Sequence, residues 1–390
     1  MKKTVAFSKN AANIFFHILT DCNLKCKHCY INRDQHGTDA LPIEVIESQL
    51  EVFAKRTQNA NVIFLGGEPT LHPDLPRAVK KANALGFDSV TIDTNGYLFH
   101  DILSKIEPDE ADFISFSLDG ASPETNDPIR GKGSFKRCVA GMKAAADRGF
   151  STSLIYTASR ANIHELKQMP PLLATLGIKK FFIQFLGARG NSSADNAPNK
   201  NRTPDQNRAP DQKNQTEKTG ASGKIRASGK AKPGEKARPA EKTGTAKSIK
   251  GGGQSQAACD QVSKEKWFDI APQVAQEVAR LGIPVCHPKV FLEPGETFEC
   301  AGQVADNYFV FPNHRVYRCP LCEDFPLHSM EFDDGRLKKT PGINETDLFS
   351  LTIPEGCVMN RLISPENLKY ADDGSPEYRI ACCMLKEETI

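Results

Sequence analysis

The 390-residue chain has no apolar run that approaches the roughly 20 residues of a membrane span, which argues against a spanning helix. It also lacks a complete export signal. Met1-Lys2-Lys3-Thr4-Val5-Ala6 opens like one, but Ser8-Lys9-Asn10 interrupts the apolar core too early. The expectation is a cytoplasmic protein with no membrane contact. A net charge of +2 excludes no class of partner, because it averages over unlike parts. Residues 190–258 have no aromatic residue, Leu, Val or Met, and their large aliphatics are Ile225 and Ile249. They hold 14 Lys and Arg against 6 Asp and Glu, a local charge of +8 that leaves −6 for the rest. Such a stretch buries too little to offset its ordering entropy and is expected to be a disordered basic insertion. Without interleaved aromatics or a folded RNA-binding signature, it reads as a solvated spacer, and a nucleic-acid partner is not expected.

Cysteine, by contrast, is abundant, with twelve residues. Disulfides are not expected in a chain without a secretion signal, so metal is the natural use. Between residues 13 and 189 one pattern recurs six times: a short β-rich apolar run, a loop, then a helical segment. The runs are 13–20, 61–66, 89–94, 113–118, 151–157 and 180–186. Most are apolar on both faces, as strands of a helix-covered parallel sheet are. Helices are predicted over 42–57, with Ile43, Ile46, Leu50 and Phe53 on one face, and over 73–85, 134–148 and 162–176. Gly86, Gly149 and Gly177 follow the last three. The fold class is α/β, a partial (β/α)6 barrel of TIM type, with right-handed crossovers placing every strand's C-terminal end on one rim.

The residues after the strands are the unusual ones. After the first comes Cys22-Asn-Leu-Lys-Cys26-Lys-His-Cys29, spaced C-x3-C-x2-C. A four-iron cluster is normally closed by four cysteines, so three thiolates on one loop would leave one iron open. A zinc site would need four local ligands, and His28 lies between two of the cysteines, where it would strain the loop. After the second strand comes Gly66-Gly67-Glu68-Pro69, after the third Asp93-Thr94-Asn95-Gly96, and after the fourth Ser117-Leu118-Asp119-Gly120. Glycines allow close backbone approach or positive φ. Glu68 and Asp119 also fit ordinary turns. Tyr156, Gln184 and His17 are polar strand residues that read more simply as satisfied core groups, and Cys138 reads as a packed thiol.

This loop resembles the signature of radical S-adenosylmethionine (SAM) enzymes, including the ring residue His28 before the third cysteine. The resemblance covers residues 13–189. It implies a 4Fe–4S cluster on Cys22, Cys26 and Cys29 with SAM at the open iron. Gly66-Gly67-Glu68-Pro69 matches the family's GGEP motif, whose carbonyls and carboxylate would meet the SAM amino group. By the same resemblance Ser117 would touch the SAM carboxylate or ribose, Arg130 would supply a guanidinium to the carboxylate, Thr94 and Asn95 would reach the ribose hydroxyls, and Asp119 would belong to the SxSLDG segment.

The chain resumes folding near Val262 with a predicted helix to Leu281, followed by extended chain. The expected divisions are 1–189 (core barrel), 190–258 (insertion), 259–295 (completion of the core) and 296–390 (a Cys-rich auxiliary domain). Cys300, Cys319, Cys322, Cys357, Cys382 and Cys383 lie in the last of these, with a hairpin turning at Asn313-His314 between the first two. This layout loosely resembles the SPASM or Twitch extension of radical SAM enzymes. It implies one auxiliary cluster held by Cys300, Cys319, Cys322 and a fourth thiol, Cys357 or one of Cys382 and Cys383. Zinc on the same residues is the alternative.

The resemblance implies reductive cleavage of SAM to a 5′-deoxyadenosyl radical that takes hydrogen from substrate, with flavodoxin or ferredoxin as reductant. Family members with this extension modify peptides or proteins, or act on tetrapyrroles and small cofactor precursors. A peptide or protein substrate is expected by a narrow margin, reduced by the lack of a recognition module ahead of residue 13. A non-catalytic Fe–S electron-transfer protein is the remaining alternative.

Overall fold

The computed structural model describes residues 2–7, 9, 11–192, 260–363 and 368–390. The expected disordered insertion lies outside them, except that Gly190–Ser192 form a 310 turn.

All six expected runs are strands: β1 Ala12–His17, β2 Ala60–Leu65, β3 Ser89–Thr94, β4 Phe113–Ser117, β5 Thr152–Ala158 and β6 Lys180–Phe185. They pair in parallel in chain order, and β2 is buried along its whole length. β7, Val285–Pro288, continues the parallel series beyond β6. The connecting helices bury the apolar stripes that spacing marks. Ile43–Arg56 covers the sheet with Ile46, Leu50 and Phe53, and Lys264–Arg280 does so with Trp267, Val274 and Val278.

Two helical segments depart from expectation. The segment expected to begin at Asn162 is a 310 turn, Ile163–Gln168, followed by an α-helix, Met169–Thr175. Pro170 and Pro171 have no amide hydrogens, so the α-helix starts at them, where its first turn needs none. Pro123–Arg130 is an unexpected helix with Ser122 at its N-cap position and Pro123 in its first turn. Arg130 therefore ends a helix, with Gly131 as its C-cap.

The expected division at residue 296 falls inside one sheet. Two short strands, β8 Phe291–Leu292 and β13 Arg379–Ile380, pair with each other. The hairpin strands β9 Asp306–Val310 and β10 Arg315–Tyr317 are followed by β11 Met330–Asp333 and β12 Arg336–Lys339. β9 lies parallel to β1, and β14, Lys386–Thr389, lies antiparallel to β7. Among the described residues the sheet order is β12-β11-β10-β9-β1-β2-β3-β4-β5-β6-β7-β14. An asparagine ladder fixes the central register. Asn61 Nδ2 donates to Asn13 Oδ1 (3.0 Å) and Asn13 Nδ2 to Asn307 Oδ1 (2.9 Å), all three being buried. A one-residue slip would break both bonds inside the core. In the β9–β10 turn the left-handed residue is His314 (φ 68°), while the Asn313 side-chain amide donates to the Gln35 carbonyl.

Candidate functional site

Alternate residues of β1 to β6 face one cavity of about 340 Å³. Thr91 and Asp93 of β3, Ser115 and Ser117 of β4, and Phe182 and Gln184 of β6 are examples. Tyr156 falls on the other parity of β5; its hydroxyl donates to the Asn162 carbonyl (2.7 Å), which makes it a satisfied core group. His17 lines the cavity, but both ring nitrogens are engaged, by the Val310 carbonyl (2.9 Å) and the Tyr30 hydroxyl (2.8 Å). Cys138 is buried against the Ser117 carbonyl.

Cys22, Cys26 and Cys29 are free thiols on the cavity wall. Their loop is held from several sides. Lys27 N donates to Ile129 O (2.9 Å) at the end of helix Pro123–Arg130, and Asn191 donates through its amide to Cys29 O (2.8 Å) and through Nδ2 to Cys26 O (3.0 Å). Burial pushes the Cys22 thiol up to about 12 and the Cys26 thiol to about 11. Metal binding would therefore have to displace their protons.

Gly66 and Gly67 are needed for a different reason than positive φ. A Cβ on Gly66 would lie 2.3 Å from Leu19 O, and one on Gly67 2.1 Å from Asp21 O. The pair lets the turn after β2 press on the start of the cysteine loop, where Glu68 N donates to Asp21 O (2.9 Å). Glu68 lines the cavity, yet its carboxylate already accepts from Thr70 N (3.1 Å), Thr70 Oγ1 (2.6 Å), Thr94 Oγ1 (2.7 Å) and Asn95 N (2.8 Å). Asn95 Nδ2 then reaches Asn23 Oδ1 (2.8 Å) and the Cys22 sulfur (3.8 Å). Thr94 and Asn95 thus tie Glu68 to the loop. Pro69 opens a 310 turn and is not on the wall.

Asp119 also lies behind the wall. It is fully buried, and one carboxylate oxygen faces both Arg130 Nε (2.5 Å) and His28 Nε2 (3.2 Å), while the other accepts from Thr157 N (2.7 Å). Burial opposes its ionisation, but Arg130 and His28 override burial and hold it well below the carboxylate range. Arg130 and His28 line the cavity, so Asp119 orients cavity residues without reaching it. Ser117 faces Asp93, a group the sequence reading passed over, at 3.5 Å. Burial raises Asp93 to about 7, with Arg130 opposing the shift and Glu68 adding to it. Its polarity at an inward position of β3 was the available signal.

The second thiol group forms around the β9–β10 hairpin. Cys319, Cys322, Cys357, Cys382 and Cys383 share one core cluster, and Cys300 joins them at a small adjoining pocket. Cys300 contacts Cys382, and Cys319 contacts Cys322. The Cys382 sulfur also accepts from Ala301 N (3.4 Å), so Cys300 and this amide both favour its thiolate. Glu345 organises this loop by accepting from the amides of Arg318 (2.7 Å) and Cys319 (3.0 Å). Cys383 and Leu321 lie on the walls of both this pocket and the main cavity. Between the two thiol groups, Arg189 Nη1 meets Glu323 (3.0 Å) and the Pro320 carbonyl (2.7 Å), with its guanidinium 4.7 Å over the Tyr30 ring. Among the described residues no three His, Cys, Asp or Glu side chains are gathered closely enough to enclose a single ion.

The sequence profile of the Radical SAM superfamily matches residues 17–169. Those residues are a radical SAM domain.

Relatives of the radical SAM domain include a probable GTP 3',8-cyclase of Saccharolobus solfataricus, 31% identical over 163 residues, covering 42% of this chain and 53% of the relative. A pre-heme d1 synthase of Dinoroseobacter shibae is 30% identical over 195 residues, 49% of this chain and 48% of the relative. The chain thus spans about half the length of these curated relatives. Among solved structures, SuiB of Streptococcus suis bound to precursor peptide SuiA overlaps at TM-score 0.40 and 19% identity, over 46% of this chain and 40% of that one. Overlap at that level carries no functional argument.

The radical SAM domain implies a 4Fe–4S cluster and SAM. The residues present fit both. Three free thiols share one loop at the wall of a cavity that has room beyond them, and the loop is braced by the Gly66-Gly67-Glu68 turn and by Asn95. No described helix is long and apolar enough to cross a membrane.

Proposed function

We propose that the protein is a radical SAM enzyme with one auxiliary Fe–S cluster, acting on a small molecule held between the two cysteine groups. The observation that carries this reading is the shared cavity, whose wall includes Cys22, Cys26 and Cys29 at one part and Cys383 at another. When bound, the cluster and SAM supply reductive formation of a 5′-deoxyadenosyl radical able to abstract hydrogen. The chain's own residues do the positioning. Cys22, Cys26 and Cys29 would hold the first cluster. Arg130, aligned by Asp119, would present its guanidinium to the SAM carboxylate, and Glu68, fixed by Thr70, Thr94 and Asn95, would face the amino group. Ser117, on the same wall, would meet polar groups of the same ligand. Four of Cys300, Cys319, Cys322, Cys357, Cys382 and Cys383 would hold the auxiliary cluster, a set that suits iron–sulfur or zinc. A flavodoxin- or ferredoxin-like reductant would serve the first cluster.

The sequence favoured a peptide substrate by a narrow margin. The names of the two relatives, a GTP 3',8-cyclase and a pre-heme d1 synthase, support the small-molecule alternative.

Anaerobic reconstitution tests the reading. Wild type is expected to hold about eight irons and the Cys22→Ala/Cys26→Ala/Cys29→Ala variant about four, if each cluster is a cubane. With dithionite and SAM, wild type should form 5′-deoxyadenosine and the variant none. A fall from about four irons to zero would assign the C-terminal thiols to zinc or packing. Unchanged iron in the variant would end the reading.

A further inference from the structure

Three lysine or arginine side chains line the cavity among the described residues, and two of them are paired. Arg130 meets Asp119, and Arg189 meets Glu323. Lys386 has no acidic partner and no hydrogen-bond acceptor among the described residues. It opens β14 opposite Pro288, the last residue of β7, and so stands on the rim that carries the cysteine loop, while β14 and β1 are far apart in the strand order.

Its surroundings offer the cation an aromatic face but no carboxylate. The ammonium lies 4.4 Å over the Phe7 ring, and Phe182 and Met384 line the same stretch of wall. The titratable groups facing it are the thiols of Cys286 on β7 and Cys383. Glu388, the next residue on the same face of β14, is already taken by Lys180 (2.6 Å) and the Cys286 thiol (3.7 Å). Half-buried on the cavity wall, the ammonium keeps its hydrogen-bonding capacity open to a ligand anion.

We propose that Lys386 receives a carboxylate of the substrate, anchoring one end of it across the cavity from the cysteine loop, an inference that rests on the cavity being the substrate site. A single ammonium matches a monoanion. A phosphate monoester, carrying about −1.5 to −2, would remain undercompensated, because the other two cavity cations are already paired.

The test uses reconstituted full-length protein and three probes: 3-phenylpropionate, its neutral amide, and phenyl phosphate. Ligand-observed NMR titration gives their affinities. Wild type is expected to bind the acid about tenfold more tightly than the amide, the scale of one charge-assisted hydrogen bond. Lys386→Met should abolish that preference while still binding the amide, and Lys386→Arg should keep it. If Lys386→Met loses amide binding too, Lys386→Arg decides: preference kept supports the anchor, preference lost overturns it. Equal binding of acid and amide by wild type, no binding of either, or a preference that survives Lys386→Met overturns the proposal. Tighter binding of phenyl phosphate than of the acid overturns the carboxylate assignment. Any of these with normal 5′-deoxyadenosine formation leaves the enzyme reading intact. Discrimination at Lys386 without SAM cleavage would sink the enzyme reading alone.

Discussion

Asp119 is a buried carboxyl and Asp93 a half-buried one on the cavity wall, and beside the same Arg130 their environments push them in opposite directions. Asp119 has Arg130 and His28 in contact, so ionisation wins over burial. Its contribution to stability is present above the ordinary carboxylate pKa and is lost only as pH falls through its lowered folded value. Removing one partner of a buried pair leaves the other uncompensated, at about 3–5 kcal/mol. Asp119→Asn is therefore expected to lower the urea midpoint strongly and nearly uniformly between pH 5 and 8, with the gap to wild type closing only in stronger acid. Equal midpoints at pH 7 would refute the pairing. Asp93 has the reverse sign. Its folded value is raised to about 7 by burial, so the unfolded chain ionises first and wild type loses stability as pH rises from about 4 to about 7. Asp93→Asn, measured before cluster reconstitution, should match wild type near pH 4 and exceed it at pH 8. A variant less stable than wild type at pH 8 would show that Asp93 is stabilising when charged. Ser117 can donate to the amide oxygen as it does to the carboxylate, so the substitution removes little else.

At the scale of elements, much was legible because the sheet is parallel and covered. β-branched and aromatic runs gave six strands to within a few residues, and helix stripes such as Ile43, Ile46, Leu50 and Phe53 gave their buried faces. The rim loops were legible as a set because unusual residues recur after four successive strands, and residues of all four loops share one cavity wall. What was not legible was pairing across the chain. No local signal tells that Asp119 meets His28, that Arg189 meets Glu323, or that β9 lies beside β1, since each partner lies 90 or more residues away. Gly190 belongs to this hidden layer. A Cβ there would lie 2.3 Å from the Cys29 carbonyl oxygen, at φ +55°. Gly190→Ala must move the cysteine loop, and reconstituted protein should lose the same iron as the triple cysteine variant. Gly177 is the control. Its φ is +65° but nothing lies within 4 Å of its Cβ position, so Gly177→Ala should cost about 1–2 kcal/mol and no iron. Iron retained in Gly190→Ala would mean that the turn at 190–192 does not brace the loop.

For the whole molecule, the question is whether the basic stretch is part of the machine or carried by it. The flanks answer in terms of anchoring. Before it, Ser192 Oγ donates to Gly187 O (2.9 Å). After it, Gln261 Nε2 donates to Leu186 O (3.1 Å), and Arg160 N donates to Asp260 O (2.7 Å). Departure and return are therefore fastened to the same end of β6, and the described residues on either side form one compact unit across the gap. A fold closed at both flanks does not need the intervening chain to hold them together. Replacing 194–258 by about ten Gly and Ser residues shortens the closed loop by between two and three doublings, each worth about 0.6 kcal/mol. The shortened protein should be as stable as the parent or more stable by up to about 2 kcal/mol, with unchanged iron and 5′-deoxyadenosine formation. Urea melts and iron assays on the two proteins decide. Lost iron or a lower midpoint would mean that residues 194–258 pack on the site, and the spacer reading from their composition would have to be given up.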